Sequence, residues 1–337
     1  MKIVVFEIEP REEAAFGRFA ADHDVVFTEE PLRADSAARF ADAEIVSPFI
    51  YSTLDSGTLQ HLPSLRLIAT RSTGFDHIDT RYCAAHDIVV CNVPRYGENT
   101  VAEHVFALLL AISHRLPEAV ERARSGHFSP EGLQGFDLEN KVLGVVGTGS
   151  IGRHVIRIAK GFSMDVIAFD TRPDTALAES AGVRYAPLED VLGQADIVTL
   201  HVPATAETHH LLSQRQFEQM KDGAVLINTA RGNLIDTRAL IEALRSGKVA
   251  AAGLDVLPDE PLIREEAELI CSTFGEKHDL RELVANHVLL QMPNVVVTPH
   301  SAFNTREAVH RIVETTAVNI AGFIDRHPQN IVGGSGG

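Results

Sequence analysis

Arg231 in INTARG, Glu260 in GLDVLPDEP and His300 in VVVTPH each stand just after an apolar, strand-like run. A guanidinium so placed can hold a carboxylate bidentately and polarise the carbonyl next to it, which suits a 2-oxo acid better than an isolated aldehyde. A histidine can deliver the proton that a carbonyl oxygen needs as hydride reaches its carbon. A carboxylate bonded to that histidine favours the charged form and raises its pKa, which keeps the acid loaded near neutrality. Any one of the three alone has an ordinary structural explanation. Their joint placement after strand ends in a nucleotide-binding half makes them a matched catalytic set.

The nucleotide half is read from residues 141–170, KVLGVVGTGSIGRHVIRIAKGFSMDVIAFD. A buried parallel strand fits 142–146, Gly147 takes the tight turn, and Gly149 removes the side chain that would hold the backbone off a pyrophosphate. Gly152 lets a helix over 151–162 sit close on the sheet, so that its first amides, those of Ser150 and Ile151, face phosphate oxygens. A second strand over 165–169 delivers Asp170, whose carboxylate can accept from both adenosine ribose hydroxyls and would repel a 2′-phosphate. The cofactor expected is therefore NAD. Arg172 is near enough to soften the repulsion of NADP.

Around this unit the chain alternates strands and helices. Before it, short apolar runs at 3–8, 25–28, 45–49, 67–71 and 88–92 read as strands, with helical stretches such as 11–21 and 80–86 between them. A long helix over 101–116 follows, opened by a capping box of Thr100 and Glu103. It is apolar around most of its circumference and must be covered on more than one side. Burial against a second domain or subunit satisfies this, and a homodimer is expected; burial within one subunit is the alternative. After the glycine unit come strands at 196–202, 224–228, 250–255 and 295–298. Ser213 with Gln216 caps one helix, and Asp236 caps another that stops at Gly247. Asn304 with Glu307 starts a last helix that returns to the first domain.

The fold class is α/β, with two doubly wound parallel-sheet domains and a cleft between them. A flavodoxin-like substrate domain covers 1–99 plus 301–332, a Rossmann NAD domain covers 100–300, and 333–337 is a linker-like tail.

With 337 residues and 45% apolar content the chain can build two ordinary cores. A net charge of −16 argues against electrostatic capture of nucleic acid or anionic membrane. Three cysteines, Cys83, Cys91 and Cys271, are too few and scattered for a disulfide framework or a zinc site. No metal is expected. The opening MKIVVFEIEP reads as a strand rather than a signal peptide, and no run reaches the roughly 18 apolar residues of a membrane span, so a cytoplasmic protein is expected.

The segments STGFDHID at 72–79, NVPRYGENTVAEH at 92–104, GTGSIG, LHVPATAETHHLL from Leu200, NTARG, GLDVLPDEP and TPHSAF occur in one order. In these the chain resembles the D-isomer-specific 2-hydroxyacid dehydrogenase family across nearly its whole length. The resemblance implies that Arg231 contacts substrate, that Glu260 supports the histidine, and that His300 is the acid/base. It implies nicotinamide-side contacts from Val202, Pro203, Thr208, Thr229, Ala230 and Asp255. It also implies that a substrate carboxylate is held partly by main-chain amides at Ser72, Thr73 and Gly74. Tyr96 and Phe303 resemble positions where D-lactate dehydrogenases place an aromatic wall that limits the substrate side chain, and Phe49 is a candidate third member. Ordinary core packing is the competing reading of these aromatics.

The 39 residues between Glu260 and His300 are more than compact members of the family carry. They could shape the cleft mouth or cover the helix beneath. TPH stands where the D-lactate dehydrogenase branch usually has TGH. Pyruvate to D-lactate is the first reading of the reaction, with hydroxypyruvate, glyoxylate or a bulkier 2-oxo acid open. Oxidation of phosphoglycerate would call for more basic residues near the substrate loop than Arg71. An alternative of another class is an NAD(H)-sensing, corepressor-like interaction protein, against which the intact Arg231, Glu260 and His300 set argues.

Overall fold

The computed structural model describes residues 1–258 and 280–332. The chain divides into two compact units, one made of Met1–Gly97 with the chain from Asn304 onward, the other of Glu98–Phe303.

In the first unit, β1 (Lys2–Val5), β2 (Asp24–Phe27), β3 (Ile45–Ser47), β4 (Leu67–Ala69) and β5 (Val89–Cys91) form one parallel sheet in the order β2-β1-β3-β4-β5. Their near-continuous apolar sequences follow from burial on both faces. Val4, Val46, Ile68 and Val90 enter the core on one face, while Ile3, Val5, Ile45 and Leu67 enter that on the other. The helix Arg306–Ile324 lays Val313, Ala317 and Ile320 on the second face. Its cap is Thr305, whose hydroxyl accepts from the Ala308 amide at 3.3 Å, one residue later than the expected Asn304. The helix expected over 11–21 is regular only over Glu13–Gly17. Past Gly17 the chain tightens, with Phe19 bonding Phe16 and Ala20 bonding Gly17, as a poor helix former allows.

The second unit holds β6 (Val142–Val146), β7 (Asp165–Phe169), β8 (Arg184–Tyr185), β9 (Ile197–Leu200), β10 (Ala224–Asn228), β11 (Val249–Leu254) and β12 (Val295–Val297). All pair in parallel, in the order β12-β11-β10-β9-β6-β7-β8. The order reverses between β6 and β9, the switch point beside which such sheets bind ligands at the carboxyl ends of their strands. The strands stop one to three residues short of several expected ends, and those residues form the loops that carry the site.

The long helix is Glu98–Ser113. Thr100 lies inside its first turn and is buried, so the expected Thr100 capping box is not the start. Ala102, Val105, Phe106 and Leu109 enter the core shared with β6 and the helix after it. A Cβ on Gly253 of β11 would lie 3.0 Å from Leu108 and 3.3 Å from Ile112, so sheet and helix touch closely there. The chain itself therefore covers most of the helix. It ends three residues before the expected position because Pro117 has no N–H for the Ser113 carbonyl, which accepts from Phe136 at 2.9 Å instead. Arg115 then turns left-handed, and a further helix, Leu116–Arg124, begins. No described helix is long and apolar enough to cross a membrane.

Candidate active site

At the end of β6, Gly147 has φ +97, and a Cβ there would lie 2.8 Å from the His201 carbonyl. A Cβ on Gly152 would lie 2.1 Å from the Gly147 oxygen, so only glycine lets the following helix, Ser150–Gly161, approach the turn. Gly149 is different. Nothing lies within 4 Å of its added Cβ, and as N-cap it provides no side-chain hydrogen bond to the first turn. Open space over uncapped helix amides is what a pyrophosphate requires.

Asp170 follows β7. Its Oδ2 accepts from the Thr148 amide at 2.7 Å and the Thr148 hydroxyl at 2.9 Å, and its Oδ1 accepts from the Arg172 amide at 2.8 Å. Tyr185 donates to Thr148 at 2.9 Å, completing a relay that fixes the carboxylate. Partial burial alone would raise its pKa, but the bonds from Arg172 and Thr148 and the charge of Arg153 hold it below the usual carboxylate range. Gly147, Gly149, Ser150, Ile151, Gly152 and Asp170 thus make a site that fits a dinucleotide with a free 2′-hydroxyl.

After β9 come His201, Val202 and Pro203, and Thr208 donates back to the Pro203 carbonyl at 2.6 Å. Burial pushes the His201 imidazole down to about 3, so it is neutral. After β10, the side chain of Asn228 organises the turn by accepting from the Ala230 amide at 3.0 Å and donating to the Arg231 carbonyl at 2.8 Å. The hydroxyl of Thr229 is buried without a partner among the described residues. Arg231 is extended and donates to the Ala230 carbonyl at 2.8 Å. A Cβ on Gly232 would lie 2.1 Å from the Leu257 carbonyl carbon, so the loops after β10 and β11 are in contact.

Asp255 follows β11 and is 1% exposed. Its Oδ1 accepts from Thr298 Oγ1 at 2.5 Å and the Ser301 amide at 2.9 Å, and its Oδ2 accepts from the Ala302 amide at 2.9 Å. Burial acts to raise its pKa, yet hydrogen bonds from His104, Thr298, Ala302 and Ser301 keep the carboxyl below its ordinary range. After β12, His300 has φ +50, a left-handed conformation that a side chain rarely takes. Arg231, Asp255 and His300 therefore stand at the carboxyl ends of three neighbouring strands. Glu260 lies outside the described residues, as do residues 261–279 of the segment before His300 and the 333–337 tail.

In the first unit the loop at Ser72, Thr73 and Gly74 consumes its own hydroxyls: Ser72 donates to Gly74 at 2.6 Å and Thr73 to Val93 at 2.6 Å. The main-chain amides of the three make no hydrogen bond among the described residues. Phe49 is half-buried after β3, with Tyr51 edge-on at 6.1 Å and the buried Arg71 guanidinium 5.6 Å from its ring. Tyr96 is also half-buried, and its carbonyl accepts from Arg311 at 2.5 Å. Phe303, in the second unit, is half-buried too.

Sequence reasoning missed the groups that hold these residues in place. Thr148 and Tyr185 fix Asp170, and His104 and Thr298 join Asp255. Glu7, left-handed at φ +53, accepts from the Phe49 amide at 3.2 Å and the Tyr51 amide at 2.9 Å. A polar side chain inside an apolar run was the available signal for Glu7.

A dinucleotide turn in one sheet with a guanidinium after β10 and an imidazole after β12 fits a dinucleotide-dependent oxidoreductase. The family profile described as D-isomer specific 2-hydroxyacid dehydrogenase, NAD binding domain, matches residues 106–302. A D-lactate dehydrogenase of Escherichia coli strain K12 is 39% identical over 76% of this chain and 75% of its own. A glyoxylate reductase of Korarchaeum cryptofilum is 34% identical over 85% and 81%. The solved D-lactate dehydrogenase of Aquifex aeolicus, complexed with NAD and lactic acid, superposes with a TM-score of 0.88 at 32% identity, over 99% of this chain and 100% of that one. The chain belongs to the D-isomer specific 2-hydroxyacid dehydrogenase family and is an NAD-dependent enzyme of that class.

Proposed function

We propose that the protein reduces a small 2-oxo acid to the D-2-hydroxy acid, with pyruvate to D-lactate as the first assignment. The observation that carries this reading is the placement of Arg231 and His300 at the carboxyl ends of β10 and β12, in the unit that holds the dinucleotide turn. Arg231 holds the substrate carboxylate and polarises the adjacent carbonyl. His300 gives its proton to the carbonyl oxygen, and takes it back when the reaction runs in reverse. Glu260 supports that imidazole, as the family resemblance implies. The bound NADH supplies the hydride. Val202, Pro203, Thr208, Thr229, Ala230 and Asp255 surround the nicotinamide side.

On this reading the first unit is the substrate domain and the second the nucleotide domain. The amides of Ser72, Thr73 and Gly74 suit an anion without adding a cation. Phe49, Tyr96 and Phe303 are the aromatics that the family resemblance offers for limiting the substrate side chain. Being half-buried, these aromatics retain surface that a ligand can cover. The D-lactate dehydrogenases among the relatives favour pyruvate; the glyoxylate reductase keeps glyoxylate in the comparison.

The proposal includes a cytoplasmic homodimer. Leu116 and Val120 are exposed, and Phe128 is 84% exposed. A groove of about 570 Å³ in the same unit is lined by apolar groups such as Ile112, Phe136 and Val295 together with charged ones such as Arg115, Glu118 and Asp222. Sedimentation at micromolar concentration should give twice the chain mass, and a monomer would remove this part.

NADH oxidation measured side by side with pyruvate, hydroxypyruvate, glyoxylate, 2-oxobutyrate and phenylpyruvate tests the assignment, with product chirality determined. Pyruvate should give the highest kcat/KM, and D-lactate as product. Negligible turnover on all five, with a stable protein partner in a pull-down, would favour an interaction role instead.

A further inference from the structure

We propose that His104 is a positioning residue for the proton donor: acting through Thr298 and Asp255, it locks the strained turn that presents His300. The inference rests on the reading of His300 as the donor.

A left-handed histidine costs conformational energy that its surroundings must offset. His300 has φ +50, and the turn around it contains no glycine to relieve the strain. Main-chain bonds supply part of the lock, since the His300 amide donates to the carbonyls of Asp255 and Thr298, both at 2.9 Å. The Asp255 carboxylate adds to it by accepting from Ser301 and Ala302, each at 2.9 Å. The turn is therefore as rigid as that carboxylate.

What fixes the carboxylate is a side chain from another element. Thr298 Oγ1 lies 2.5 Å from Asp255 Oδ1 and gives it its single proton. The 2.9 Å contact between His104 Nε2 and the same hydroxyl must then have histidine as donor, which assigns the ring its Nε2–H form. The same nitrogen is 3.3 Å from Asp255 Oδ1. His104 projects from the helix Glu98–Ser113, whose apolar side is built into the core of this unit, so the anchor is a rigid one. In a buried network of this kind one missing donor loosens the remaining bonds. A displacement of His300 of about 1 Å can cost about 100-fold in rate.

The test compares wild type, His104→Leu, His104→Gln and Thr298→Val by steady-state kinetics with pyruvate, by NADH fluorescence titration, and by NMR of the ¹⁵N-labelled histidine rings. His104→Leu should lose about 10- to 100-fold in kcat, with the NADH Kd unchanged within about twofold and the His300 ring signal shifted or broadened. His104→Gln keeps an N–H at the same reach and should recover most of the rate and the signal. Thr298→Val should behave like His104→Leu although His104 is intact. The inference is overturned if His104→Leu keeps wild-type kcat and an unshifted His300 signal. It is equally overturned if Leu and Gln variants lose turnover and NADH affinity together, since that is general disruption. If wild type reduces no 2-oxo acid, the reading of His300 as donor fails, and the ring signals still decide whether His104 fixes that turn.

Discussion

Asp255 and His300 are joined through the main chain as well as through the turn, because the Asp255 carbonyl accepts the His300 amide at 2.9 Å. The Asp255 carboxylate, expected at the nicotinamide, accepts several hydrogen bonds from the protein itself and organises the loop that carries His300.

That carboxyl gives stability a definite pH dependence. Its folded pKa lies below the unfolded value of about 3.9, so the unfolded state binds more protons between the two and stability falls as pH drops through that window. Asp255→Asn should cost about 1.5–3 kcal/mol at neutral pH and flatten the dependence of Tm on pH below about 4. A Tm profile parallel to wild type across pH 3–5, taken as an approximate range around the free carboxylate value, would contradict the assignment.

His201 acts with the same sign over a wider range. Burial holds it at about 3 in the fold, whereas the unfolded imidazole takes its proton near about 6.5, so stability is already lost as pH falls below the latter value. Thermal melts of His201→Gln should decline less than wild type between about pH 6.5 and 4. Equal slopes would show that His201 titrates normally.

Asp170 should decide the coenzyme. Replacement by alanine removes charge-assisted bonds worth about 1.5–3 kcal/mol each and the repulsion of a 2′-phosphate. The KM for NADH should rise by at least about tenfold while NADPH becomes a comparable substrate, with Arg172 close enough to assist it. An unchanged NADH/NADPH ratio would remove the carboxylate from the ribose site.

The two glycines of the turn should separate folding from binding. Gly152→Ala places a Cβ 2.1 Å from the Gly147 carbonyl, an overlap that should cost about 1–3 kcal/mol or more in denaturant melts. Gly149→Ala meets nothing within 4 Å, so it should melt like wild type and bind NADH weakly. Full NADH affinity in Gly149→Ala would place the pyrophosphate elsewhere.

Cys83 and Cys91 are buried, and burial raises both thiols to about 11. Thiolate is the reactive form, so mild alkylation of the native protein followed by peptide mass spectrometry should leave both unlabelled. Rapid labelling of either would mean that its core opens readily.

The dinucleotide unit was legible because each of its glycines meets a local demand, and the strand limits of β6, β7 and β10 follow from apolar runs alone. Helix starts were less so. Thr100 and Glu103 have capping-box spacing, but the same spacing occurs inside a first turn, and only the buried position of Thr100 shows that the helix begins at Glu98. The two-residue β8 is too short to leave a pattern. The bond between His104 and Thr298 joins positions 194 residues apart, and no local pattern records it. His300 was found by its position after a strand, whereas its left-handed backbone, and the clamp that maintains it, come from tertiary packing.

The most direct test of the account is turnover by His300→Gln, with NADH binding followed by fluorescence in the same preparation. The account predicts a loss of about 100-fold or more in kcat for pyruvate reduction, with NADH affinity and Tm close to wild type. A variant that still reduces pyruvate within a few-fold of the wild-type rate would contradict it, because the proton would then have another source.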